Sequence, residues 1–137
     1  MPIDPEILLK KELDEVEGSW TEERVILYNI AVGSSQDPLN KSDLEFTVGS
    51  NPKVIPSFAA CIYPMESVFS IIGSEGLEVS LTSLLHGEQK ITIHKDIPSS
   101  GTALTKATIT AVEDYKKFAS VTTVSYTHLT LPTILLV

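Results

Sequence analysis

The sequence predicts an α+β domain in which an antiparallel sheet packs around one buried helix. Three observations predict it. "SFAACIY", Ser57 to Tyr63, is an apolar segment of small residues that begins just after Pro56. Its Ala59 and Ala60 permit the close approach that a helix buried against a sheet needs. From Glu88 to Ile97 the chain alternates, with Ile91, Ile93 and Ile97 on one side and Lys90, Thr92, His94 and Asp96 on the other. That period of two is the mark of a strand with one wet face. Finally, "TALTKATITAVED" and "FASVTTVSY" are rich in Thr, Val and Ala and are separated only by a short turn.

Taken in order, residues 1–20 are acidic, proline-punctuated and expected to be irregular. "SWTEERVILYNIAVG" reads as a helix capped by Ser19 or Thr21, with Glu22 and Glu23 in its first turn and Gly33 at its end. Apolar residues wrap most of its circumference, which predicts a well-covered helix. Leu44 to Val48, "LEFTV", alternates like a short strand. Pro56 can start the buried helix, where its missing N–H is not needed. "MESVFSIIG" is a further short helix or an ordered loop. Three long antiparallel strands then complete the sheet. After them "THLTLPTILLV" loses its charge and ends on an apolar run that rarely stays exposed without a partner.

The bulk numbers narrow the function. The 137 residues suit one domain, and 42% hydrophobic with 20% charged is a globular balance. Ten basic and 18 acidic residues give a net charge of −8. Nucleic acid is therefore not expected as a partner, since phosphate binding needs clustered cations, and neither is an anionic membrane surface. A lone Cys61 forms no intrachain disulfide and fits a reducing compartment. The N-terminus lacks the pattern of a secretory signal, no apolar run is long enough to span a bilayer, and the last three residues are not a peroxisomal address.

Few residues offer chemistry. His86 and His94 have no second ligand pair at metal-binding spacing, so no metal is expected. Cys61 in "FAACIY" reads as a structural cysteine rather than a nucleophile. No phosphate-cradling glycine pattern is present, so no nucleotide cofactor is expected. Asp37 before Pro38 reads as a turn residue, Trp20 and Tyr28 as core or interface anchors, and His94 as a solvated histidine. The group His86-Gly87-Glu88-Gln89 stays open. His86 can serve as a base near neutral pH with Glu88 orienting it on the same strand face. Alternatively, His86 and Gln89 satisfy buried backbone groups at a strand start.

Read in order, "GSWTEERVILYNIAVG", "DPLNKSDLEFTV", "KVIPSFA" and "LLHGEQKITIHKDIPSSG" resemble the N-terminal half of 2-enoyl-CoA hydratase 2. This MaoC-like dehydratase family also supplies a domain of peroxisomal multifunctional enzyme type 2. The likeness covers residues 1 to 124, and "LLHGEQ…DIPSSG" is its most specific part. It implies a hot-dog fold, in which an antiparallel sheet wraps a central helix, and two such repeats in a full member. It also implies hydration of a trans-2-enoyl-CoA to a (3R)-3-hydroxyacyl-CoA. The family's catalytic Asp and His lie in the second repeat, in a G-D-x-N-P-[LI]-H motif absent from this chain, so no catalytic residue is assigned.

The resemblance directs substrate contacts to His86, Gly87, Glu88, Gln89, Pro56 and Phe58. It implies an acyl-CoA thioester as ligand and, as partner, a C-terminal catalytic repeat or a second copy of the chain. It implies a cytoplasmic location in a bacterium or a peroxisomal one in a eukaryote. The alternatives are a self-standing module that holds an acyl thioester without turnover, and a single-repeat dehydratase using His86 and Glu88. "SYTHLTLPTILLV" does not resemble the family's next strand but translated readthrough. This makes residues 1–124 the repeat and 125–137 a non-homologous tail, so removal of Thr127 to Val137 is expected to leave helix and strand content unchanged.

Overall fold

A computed structural model describes residues 3–62 and 69–130. Its elements are α1 (Pro5–Leu9), β1 (Val16–Trp20), α2 (Glu22–Ala31), α3 (Lys41–Leu44), a 3₁₀ turn (Pro56–Phe58) leading into α4 (Ala59–Ile62), a second 3₁₀ turn (Leu81–Ser83), β2 (Gly101–Asp114) and β3 (Ala119–Thr130). The strands form an antiparallel sheet in the order β1-β2-β3. The fold class is α+β, consistent with a fragment of the hot-dog fold. The chain divides into two compact units. One comprises Met1–Val16, Pro64–Gln89 and Leu104–His128, and the other Glu17–Tyr63, Lys90–Ala103 and Leu129–Val137.

In the first unit α1 starts because Asp4 caps it. The Asp4 Oδ1 accepts from the amides of Glu6 and Ile7 at 3.0 and 3.2 Å, and Pro5 occupies the first turn. Leu8, Leu13, Ile71, Leu77, Ala107 and Ile109 are buried there. Gly76 has φ +87°, and a Cβ on it would lie 2.9 Å from Ile7 Cγ2, so both its backbone and its neighbour demand glycine. On β2, Thr105, Ala107 and Ile109 are buried while Lys106, Thr108 and Thr110 are exposed, which is the alternation the sequence shows. The hairpin closes through the Tyr115 amide to Phe118 O, with Lys116 at φ +67° and its amide donating to Asp114 Oδ1.

In the second unit Thr21, rather than Ser19, caps α2: its Oγ1 accepts from the Arg24 amide. Gly33, at φ +97°, follows the helix end. Trp20, Val25, Phe58, Ile62 and Ala103 form the core, with Tyr28, Val54, Cys61 and Ile97 packed against it. Burying Phe58 completely is worth about 2–3 kcal/mol. Tyr28 meets its ring edge-on, with centroids 5.4 Å apart.

Several expectations are corrected. Residues 1–20 are not irregular, since α1 and β1 form there; the signal was Asp4-Pro5-Glu6. The helix α2 is covered on one face only: Val25 and Asn29 are buried, whereas Leu27 is 69% exposed and Ile30 55%. Leu44–Val48 is not a strand. The Asn40 side chain caps α3 through the Asp43 amide, and helical bonds from Leu44 N to Asn40 O and from Val48 N to Leu44 O continue past it. Capping outweighs a five-residue alternation.

Glu88–Ile97 does not form a strand either, and Glu88 to Asp96 are exposed. Alternation becomes a strand only with a neighbour to share its ladder, and the segment pairs with none of β1, β2 and β3. The sheet thus has two long strands and a short one. Pro56 does open the buried helix, first as a 3₁₀ turn. Tyr63 and the start of "MESVFSIIG" lie outside the described residues.

Candidate ligand groove

The second unit carries an open groove of about 520 Å³. Phe46, Pro52, Val54, Pro56, Ile97 and Pro98 give it apolar walls, and Asn51, Lys53, Asp96 and Ser99 line it with polar groups. Two segments build it, the loop 46–54 and the run 96–99.

The run 96–99 is fixed by the start of α2. Trp20 Nε1–H donates to Pro98 O at 2.9 Å. Ser99 is 7% exposed, and its hydroxyl lies 3.1 Å from Glu22 Oε1 and 3.2 Å from Asn51 Oδ1, with one proton to serve either. A Cβ on Gly101 would lie 3.0 Å from Trp20 Cζ2, so the backbone passes close over the indole. The motif "DIPSSG" is therefore spent on structure: a carbonyl for Trp20, a hydroxyl for Glu22 and a glycine that clears the ring.

The loop is fastened at three points. Asn29, fully buried on α2, donates from Nδ2 to Phe46 O and Lys53 O, both at 2.7 Å. The Lys53 amide donates to Glu45 O at 2.9 Å, and their side chains form an exposed ion pair. The Asn51 amide, at φ +56°, donates to Glu22 Oε1 at 3.1 Å. Asn29, Glu22, Asn51 and Ser99 were not singled out from the sequence. The available signal was an amide on the apolar face of a helix, four residues after Val25.

Pro56 is exposed on the groove wall, while Phe58 is fully buried beneath the surface and belongs to the core. His86, Gly87, Glu88 and Gln89 belong to the first unit. All four are exposed, and nothing lies within 4 Å of where a Gly87 Cβ would sit. Among the described residues neither His86 nor Gln89 caps a buried backbone group, and no strand starts there. No hydrogen bond or ion pair joins His86 to Glu88. His94 is exposed, as expected, Cys61 is half-buried at the core's edge, and Asp37 Oδ1 accepts from the Leu39 amide in a local turn.

The groove lining holds no histidine or cysteine, and its charged side chains are Lys53 and Asp96. Among the described residues no three His, Cys, Asp or Glu side chains gather as metal ligands would. The arrangement can bind a ligand that is apolar along most of its contact, with polar groups at one side. Its one carboxylate, Asp96, is exposed and has no histidine beside it in the lining.

Residues 19–131 match the family described as MFE-2 hydratase 2 N-terminal domain. The chain belongs to this family. It is 30% identical over 121 residues to the enoyl-CoA hydratase ChsH3 of Mycobacterium tuberculosis, covering 87% of this chain and 42% of that one. It is 27% identical to the peroxisomal enoyl-CoA hydratase 2 of Arabidopsis thaliana, covering 83% of this chain and 38% of that one. It is also 27% identical to the 3-hydroxyacyl-thioester dehydratase Y of Mycobacterium tuberculosis, over 69% of this chain and 31% of that one. The chain thus spans less than half the length of these relatives. Among the described residues no helix is long and apolar enough to cross a membrane.

Proposed function

We propose that this hydratase 2 N-terminal domain is the acyl-CoA-binding, non-catalytic half of an enoyl-CoA hydratase 2, a (3R)-3-hydroxyacyl-CoA dehydratase of fatty acid β-oxidation. The observation that carries the reading is the family match over residues 19–131 combined with coverage of about two-fifths of enoyl-CoA hydratases. The chemistry at hand agrees with it: His86 and Glu88 are exposed and unjoined, and the groove lining holds no histidine. In this reading the groove receives part of an acyl-CoA thioester, with Pro56 as wall and Phe58 supporting it from beneath. His86, Gly87, Glu88 and Gln89, in the first unit, offer exposed donors and acceptors to an acyl-CoA thioester. A C-terminal catalytic repeat, or a second copy of the chain, completes the site. The boundary between the repeat, 1–124, and a tail, 125–137, rests on the tail's unlikeness to the family's next strand and on its composition; β3 runs to Thr130 and the family match to residue 131, which weigh for a later boundary. The setting is peroxisomal in a eukaryote, as in the name of the Arabidopsis relative, and cytoplasmic in a bacterium.

The test is direct. The purified polypeptide is expected to show no hydration of crotonyl-CoA above background, followed by the enoyl thioester's absorbance. Turnover that disappears in His86→Ala would overturn the reading in favour of a single-repeat dehydratase. Coding sequence downstream decides between half-enzyme and self-standing binding module. A continuous frame carrying G-D-x-N-P-[LI]-H within about 150–200 residues supports the half-enzyme, and an early stop supports the module.

A further inference from the structure

Asn29 occupies a position on the buried face of α2 that an aliphatic side chain could fill. It is fully buried, on the face that also carries Val25. Its Nδ2 makes two 2.7 Å bonds, to Phe46 O and Lys53 O, while Oδ1 has no partner among the described residues. A buried acceptor without a partner weighs against stability. An aliphatic residue would avoid that penalty, but it could not supply two diverging donors to carbonyls at opposite ends of one loop. Between those carbonyls runs 46–53, which gives the groove Phe46, Asn51, Pro52 and Lys53. Of the loop's other ties, the Glu45–Lys53 ion pair is exposed and the Asn51 amide bond to Glu22 is at the surface. Water competes for both. The Thr47 hydroxyl to Ser35 and the Ser99 hydroxyl to Asn51 Oδ1 are part-buried single bonds, whereas Asn29 is fully buried and holds both ends of the loop.

We propose that Asn29 is a positioning residue, whose amide holds the 46–53 loop in the shape that lets the groove bind an acyl-CoA thioester. This rests on the groove's assignment under Proposed function. In the full chain, Asn29→Ala is expected to speed exchange of the Lys53 amide about tenfold and to weaken crotonyl-CoA binding by a similar factor, as loss of buried bonds to a carbonyl implies. The Val25 amide inside α2 should keep its protection. If Asn29→Ala does not fold, Asn29→Ser, which cannot reach both carbonyls, carries the same expectation. Unchanged Lys53 protection overturns the proposal, as does an opened loop with full affinity. A uniform rise in exchange through α2 and the loop, tracking a lower urea midpoint, also overturns it, because that marks a residue that only supports the fold. If the unmutated chain binds no crotonyl-CoA, the groove assignment fails, and Lys53 exchange still decides the loop clamp separately.

Discussion

Trp20 and Gly101 show how a single contact fixes a motif. The indole is 3% exposed and tied by its N–H to Pro98 O, so it has little room to move away from a methyl group built at Gly101. Gly101→Ala should therefore lower stability by about 1–3 kcal/mol, read as a drop in the urea midpoint with unchanged slope. Tyr115 is a second residue-scale case. Its hydroxyl donates to Glu113 Oε2 at 2.8 Å, and this bond, followed by the negative charge of Glu113, holds the phenol above the usual tyrosine range. The neutral form is favoured in the folded chain. Its small contribution is full below the ordinary tyrosine value and is lost as pH rises through the raised one. In Glu113→Ala the Tyr115 ring signal, followed by NMR, should titrate at lower pH. At the other end of the scale Glu23, held below the usual carboxylate range by the Thr21 hydroxyl and its own amide, favours the charged form at the start of α2.

Among the elements, the β2–β3 hairpin is the one the sequence shows most plainly, because Thr, Val and Ala alternate on both sides of a polar turn. What it does not show is the register. That places the Thr105 hydroxyl, 1% exposed, 2.9 Å from the Thr127 hydroxyl. Thr127→Val should cost about 1–3 kcal/mol by leaving a buried hydroxyl unpaired, and Thr105→Val with Thr127→Val should recover most of it. Thermal unfolding of the two single variants and the double variant measures this. Because β3 extends to Thr130, removing Thr127 to Val137 should lower the melting temperature and strand signal in circular dichroism, contrary to the expectation from composition. Glu88–Ile97 is the opposite case. Its alternation is clear, but a strand is a property of a pair, and this segment joins none of the three strands.

For the whole molecule, the long hairpin after an apolar helical segment gave the fold class, and the ordered motifs the family, from the sequence alone. The net charge of −8 and the absence of clustered cations need no coordinates to argue against nucleic acid. Capping at α2 and the alternation in β2 were legible for the same reason: they depend on residues close in sequence. The candidate site was not. "DIPSSG" was legible only as part of the family likeness, and only tertiary structure set its carbonyl, hydroxyl and glycine against Trp20 and Glu22, nearly eighty residues earlier in the chain. Asn29 was hidden because an amide in a helix has no function until the carbonyls of Phe46 and Lys53 are brought to it. Local pattern thus determined the start of α2, the long hairpin and the family, while the caps of α1 and α3 went unread. Which residues are used up as scaffold, and which remain free to meet a ligand, was decided by contacts between segments far apart in sequence, since hydrogen bonds and burial depend on distance in space.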